Sequence, residues 1–262
     1  MRRVMVVAAV AALFGAVVLG WTMRPRLPAA ERGRRLAERT GCFGCHGPEG
    51  TLGTANPGRN DRTVPTFTGD VMMYADSADL IRQWIRDGVT AKRAASSTWR
   101  EQRQRGTLRM PAFKKRLSPS EIEDLVAFVG VMAEPEPADP IAARGQRKAG
   151  ALGCFGCHGP GGGLARPNPG SLKGYVPSWD GADFPELVSD RAEFGQWVGK
   201  GVSERFDGNP LARFFLRRAV LKMPAFERHL APADVDTLWR YVQWARTPGH
   251  AVSRGEAEEG GE

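Results

Sequence analysis

The chain has 262 residues, 42% of them hydrophobic and 25% charged, a globular composition that sets aside fibrous and wholly disordered classes and leaves room for two domains of ordinary size. Lys and Arg number 37 against 29 Asp and Glu, a net of +8. That balance suits an acidic partner, an anionic membrane surface or nucleic acid and does not choose among them.

The first predicted element is apolar. Arg2 and Arg3 precede an uncharged run at residues 4–23, and Arg24 and Arg26 follow it. A helix of that length spans roughly 30 Å, the hydrocarbon thickness of a bilayer, whereas signal-peptide cores usually run about 7 to 15 residues. Residues 1–28 are therefore expected to form an uncleaved membrane-spanning anchor, the alternative being a long signal cleaved near Val18-Leu19-Gly20. Either way everything after Arg24 is exported, and nucleic acid is not an expected partner.

Beyond the anchor the chain repeats itself. Residues 41–48 read GCFGCHGP, and residues 153–160 read the same 112 positions later. Asn56-Pro57-Gly58 recurs as Asn168-Pro169-Gly170 at that offset, and after a one-residue insertion Trp84 matches Trp197 and Gly88-Val89 matches Gly201-Val202 at 113. Met110-Pro111-Ala112-Phe113 and Met223-Pro224-Ala225-Phe226 close the match. The chain is a tandem duplication.

In the first copy Leu80, Ile81, Trp84 and Ile85 mark a helical face, and Ile122, Leu125, Val126 and Val129 follow the helical period. Ser118, Pro119 and Glu121 give a capping-box start to that last helix. Residues 133–140, AEPEPADP, read as a semi-extended linker. Val235, Leu238, Trp239 and Val242, with Pro232 ahead of them, repeat the final helix in the second copy. Residues 248–262 end in a Gly/Glu-rich tail too polar to bury itself, expected to be disordered. The expected fold is mainly α: two tandem helical domains at 29–132 and 141–247, with long loops and no convincing strand, behind an N-terminal membrane-spanning helix.

The chemistry lies in Cys42-Phe43-Gly44-Cys45-His46 and Cys154-Phe155-Gly156-Cys157-His158, the pattern of c-type haem attachment. Two thiols at this spacing can form thioether bonds to the two vinyl groups of one porphyrin, and the next residue sets its imidazole under the iron. A zinc site would need four convergent ligands, a thioredoxin-like pair a βαβ context, and a plain disulfide would not require the histidine twice. All four cysteines of the chain fall in these motifs. Two covalently bound haem c groups are expected.

The sixth ligand follows by elimination. His46 is the only histidine of the first copy, and the second copy has a single methionine, Met223, whose counterpart is Met110. Methionine thioether is the usual partner of histidine in electron-transfer cytochromes. Met72, Met73 and Met132 have no repeat counterpart, whereas His229 and His250 remain outside candidates in the second copy.

With these motifs in place, each half resembles a class I cytochrome c domain, over nearly the whole of residues 31–247. The resemblance implies a proline carbonyl that accepts the ligand imidazole N–H, and Pro57 and Pro169, each 11 residues after its histidine, look like those prolines, a simple turn being the other reading. It also implies electron transfer between respiratory-chain partners on the periplasmic side of a bacterial cell membrane. A dihaem peroxidase, a thiosulfate-oxidising cytochrome and a fixed subunit of a larger respiratory complex are the alternatives. The stretches at 90–108 and 203–221, ahead of each methionine, are longer than the family pattern.

Charge is uneven between the copies. Residues 82–116 hold 11 basic and two acidic side chains, a net of +9, against seven and three, a net of +4, at residues 200–228. A redox partner with an acidic docking face is expected near Met110, with anionic lipid heads or a merely solvated face as the alternatives.

Overall fold

The computed structural model describes residues 26–69 and 75–247, with residues 10, 13–15, 17, 20 and 24 of the N-terminal stretch. The apolar run at 4–23 lies largely outside the described residues, and Met72, Met73, His250 and the tail at 248–262 lie wholly outside them. Among the described residues no helix is long and apolar enough to cross a membrane.

The first half runs α1 (Ala29–Arg39), α2 (Phe43–His46), α3 (Ala78–Asp87), α4 (Ala91–Ala95), α5 (Ser97–Arg105) and α6 (Pro119–Met132). The second half runs α7 (Pro140–Ala151), α8 (Cys154–His158), β1 (Arg166–Pro167), β2 (Tyr175–Val176), α9 (Phe184–Leu187), α10 (Arg191–Lys200), α11 (Glu204–Asp207), α12 (Pro210–Arg218) and α13 (Pro232–Ala245). β1 and β2 pair antiparallel, with Pro167 opposite Tyr175. Among its described residues the first half has a single bridge, Ala55 to Thr63, at the repeat-equivalent place.

A crossed pair of helices frames each half, α1 on α6 and α7 on α13. α6 buries Ile122, Leu125, Val126 and Val129, the face its period predicts, and each such side chain contributes roughly 1.5–3 kcal/mol. Its start is fixed at Ser118: the hydroxyl accepts the Glu121 N–H at 3.3 Å and the Glu121 carboxylate accepts the Ser118 N–H at 2.9 Å. α13 keeps half of this device. Asp234 accepts the Ala231 N–H at 2.9 Å, but Ala231 has no side-chain oxygen to return the bond. Where the paired helices cross, a glycine sits at the same repeat position in each half, Gly33 against Asp124 and Phe128, Gly145 against Thr237 and Tyr241.

The stretches at 90–108 and 203–221 are not plain loops, because each carries two short helices. Thr90 and Ser96 cap α4 and α5, accepting the N–H groups of Arg93 and Trp99. Asn209 caps α12, with Pro210 at its first position. Gln83 and Gln196 pin the two stretches to α3 and α10, each accepting a backbone N–H, of Ala91 and of Glu204, at 2.9 Å. In the second half Glu193 adds a further tie. It accepts bonds from Arg205, Ser189 and Ser203, and the Arg205 guanidinium foremost holds its carboxyl down at about 2.

Residues of the connecting segment pack on the second half. Asp139 caps α7 and pairs with Arg240, so Pro140 opens the helix rather than ending the linker. The halves also touch each other. Arg166 grips Glu49 through two bonds of 2.8 and 3.1 Å, and Leu164 is buried within the core of the first half.

Candidate functional site

Each CFGCH motif is wound into a helical turn. The His46 N–H donates to the Cys42 carbonyl at 3.0 Å, which gathers Cys42, Cys45 and His46 on one cavity wall. None of the four cysteines forms a disulfide. Burial pushes the Cys42 thiol up and the Cys154 thiol up to about 11, so both are protonated at neutral pH. Among the described residues no three histidine, cysteine or carboxylate side chains converge as metal ligands would.

The histidines are oriented from behind. His46 Nδ1 lies 2.7 Å from the Pro65 carbonyl oxygen, and His158 Nδ1 lies 3.2 Å from that of Pro177. A carbonyl can only accept, so Nδ1 carries the proton in each ring and the Nε2 lone pair is left for a metal. Burial pulls both imidazoles down from their ordinary pKa, against the opposing effect of the carbonyl bond. Both are neutral, the form that ligates iron. Phe67 and Trp179, again repeat equivalents, lie beside the two rings at 4.6 and 5.1 Å between centroids.

Pro57 and Pro169 are not the prolines that serve the histidines. Their carbonyls accept the N–H groups of Thr107 and Val220, at 3.1 and 3.0 Å. The chain turns at Asn-Pro-Gly and comes back through the Ala55–Thr63 bridge, or the β1–β2 pair, so the proline reaching the imidazole is eight residues further on. Sequence alone carried that signal: Val64-Pro65 and Val176-Pro177 match at offset 112.

The Asn-Pro-Gly turn has a different task. The Asn56 amide donates to the Leu108 carbonyl at 3.1 Å and accepts the Leu108 N–H at 2.9 Å. Asn168 does the same to Leu221 at 3.0 and 2.8 Å. Each buried amide thus clamps the backbone two residues before a methionine. On the other side Gly88 and Gly201, the left-handed ends of α3 and α10, approach the carbonyls of Met110 and Met223 so closely that a Cβ would collide with them. Replacing Asn56 with Ala should cost about 1–3 kcal/mol in urea unfolding, because both Leu108 groups lose their partner. Pro57→Ala, which keeps its carbonyl, should cost well under half of that; equal losses would contradict the clamp.

Met110 lines the same cavity as Cys42, Cys45 and His46, whose wall is mostly apolar. Met223 packs against the second core alongside Cys154. Met132 is buried in the first core and His229 is exposed, so neither is placed as a ligand.

Sequence reasoning counted Arg103 in the basic stretch around Met110 but missed Arg59 and Trp99. Arg59, Trp99 and Arg103 line the first cavity, the Trp99 indole N–H is buried without an acceptor among the described residues, and the Arg59 guanidinium lies over its ring at 5.8 Å. An orphaned donor beside cationic side chains fits an anionic edge of a bound group, and a haem carries two carboxylates. Thiol pair, neutral imidazole, thioether, apolar wall and basic edge together fit a covalently attached haem.

Neither a search of curated proteins nor one of solved structures finds a match to this chain. Residues 30–132 match the family model described as Cytochrome c, which supports reading this segment as a cytochrome c domain with covalently bound haem c and a role in haem-based electron transfer.

Proposed function

We propose that the chain is a two-haem c-type cytochrome, one haem c in each half, which carries electrons between redox proteins outside the cytoplasm while residues 4–23 hold it in a membrane. The observation that supports this best is that the second half repeats the first contact by contact: His158 to the Pro177 carbonyl, Asn168 to Leu221, Gly201 against Met223. A haem iron bound by histidine and thioether gains and loses one electron with little rearrangement and offers no open position to a substrate. The protein groups do the rest. Pro65 and Pro177 fix the imidazole tautomer, and the Asn56 and Asn168 clamps hold the methionine segments in place.

The tether rests on the length and flanking charge of the apolar run. Cells making the whole chain should retain it in carbonate-washed membranes, with two haems per chain by staining and mass. Replacing Cys154 and Cys157 with Ala should leave one haem. A washable protein would replace the anchor with a cleaved signal, and two covalent haems in the double variant would end the assignment of the second motif.

The docking face is proposed around Met110, on the basic stretch at 82–116. Part of its charge is neutralised within the fold, since Arg82 pairs with Glu123 and Asp79 and Lys114 with Asp87. Lys115 and Arg116 are exposed. Electron transfer to an acidic partner should slow as salt rises, because exposed charges are screened beyond about 10 Å at 0.1 M ionic strength. Reversing Lys114, Lys115 and Arg116 to Glu should slow association severalfold in stopped-flow mixing and leave the haem spectrum intact. Rates indifferent to both changes would assign the basic face to the membrane surface or to solubility.

A further inference from the structure

The two halves share the CFGCH turn, the histidine-to-proline bond, the asparagine clamp and the glycine contact on the methionine segment, and differ at one edge of the site. The repeat register across this edge is secure, because Gly58 faces the Arg105 carbonyl as Gly170 faces that of Arg218, and the Asn-Pro-Gly clamps match bond for bond. In that register Arg59, Trp99 and Arg103 of the first half become Ser171, Ala212 and Leu216 of the second. Two guanidinium groups and an indole donor are exchanged for a hydroxyl and two aliphatic side chains.

The second half has its own orphaned buried donor, the Ser178 hydroxyl, but no cation accompanies it at these positions. Lys173 does not make up the difference, since Asp183 and Glu186 hold its ammonium at 2.6 and 2.8 Å. Arg59 is likewise paired, with Asp61 at 2.9 Å. The uncompensated contrast is therefore carried by Arg103 and the Trp99 N–H. The wider surroundings lean the same way, at +9 for residues 82–116 against +4 for residues 200–228.

Positive charge and donated hydrogen bonds around a haem disfavour the ferric state, which bears one more positive charge than the ferrous, and so raise the reduction potential. We infer that the two haems are unequal, that Trp99 and Arg103 make the first-half site the stronger oxidant, and that an electron entering at the second half passes to the first. The inference rests on the two-haem reading above. In that step the second-half iron is oxidised from ferrous to ferric and the first-half iron reduced from ferric to ferrous by the same electron, with no atom or proton transferred.

The test is a potentiometric titration of the intact holoprotein, preceded by a haem count. Two waves are expected, and Met110→Ala should displace the upper one, which assigns it to the first half. Arg103→Gln and, separately, Trp99→Phe should each lower the upper wave and leave the lower one in place. For Arg103 the equilibrium sharing of one electron between the haems should change roughly three- to tenfold, the effect of one charge at about 10 Å through an effective dielectric of about 20 with partial screening. Leu216→Arg should raise the lower wave. If Met110→Ala displaces the lower wave, or Arg103→Gln and Trp99→Phe both leave the upper wave unmoved in proteins of normal haem spectrum, the inference is overturned. A count of one haem per chain would overturn the two-haem reading and this inference with it, whereas two haems with the reversed order would overturn the inference alone.

Discussion

Met223→Ala should give a protein in which one haem of two binds carbon monoxide and has lost potential on the order of 100 mV, within the roughly 0.8 V that axial ligands span. Thioether ligation closes the sixth position and favours the reduced iron, so its removal acts on both properties at once. Met110→Ala should do the same at the other haem. The two effects should be separable, since the methionines lie on different cores and each segment has its own asparagine clamp and its own glycine contact. Titration with carbon monoxide, read by absorbance, gives the count of open sites directly. A Met223→Ala protein that binds none would pass the ligand role to another side chain, with His229 and His250 the remaining histidines of that half.

The second large effect concerns stability. A Cβ on Gly33 would run into the Asp124 carbonyl and lie 2.9 Å from the Phe128 Cβ, and one on Gly145 would run into the Thr237 carbonyl and lie 2.7 Å from the Tyr241 Cβ. The obstacle in each case is backbone of the facing helix, which cannot swing aside as a side-chain tip can. Gly33→Ala and Gly145→Ala should therefore force the helix pairs apart and cost about 3 kcal/mol each, the upper part of the usual overpacking range. That corresponds to a fall in Tm of roughly 6–12 °C for a protein of this size. Gly44→Ala and Gly156→Ala are the controls, because a Cβ at either would meet nothing within 4 Å. Calorimetry in which all four variants melt alike would refute the close crossing.

Most of the helical frame could be read from the residues, because its signals are local. The apolar period of α6 and the Ser118–Glu121 cap need only neighbours within a turn. The haem-binding motif is equally local, five consecutive residues whose spacing already dictates their chemistry. What escaped the sequence depends on chain reversal. Pro57 and Pro65 are both prolines in the loop after His46, and only the fold-back at the Ala55–Thr63 bridge decides which carbonyl reaches the imidazole. Trp99 was hidden for a similar reason. Its helix has a polar sequence, STWREQRQR, and nothing in its period announces that the indole turns in against Trp84 at 5.6 Å. The caps at Thr90, Ser96 and Asn209 were legible, and heeding them would have replaced the long loops with helices.

The grip of Arg166 on Glu49 joins the loops that directly follow the two CFGCH turns, Glu49 standing three residues after His46 and Arg166 eight after His158. Leu164, seated in the neighbouring core, secures the same contact with an apolar anchor. On the two-haem reading, redox centres carried on halves fastened in this way would exchange electrons across a gap set when the chain folds, and not by tumbling or collision. Solvent viscosity would then govern only how fast outside partners arrive, while the internal transfer would keep its own clock.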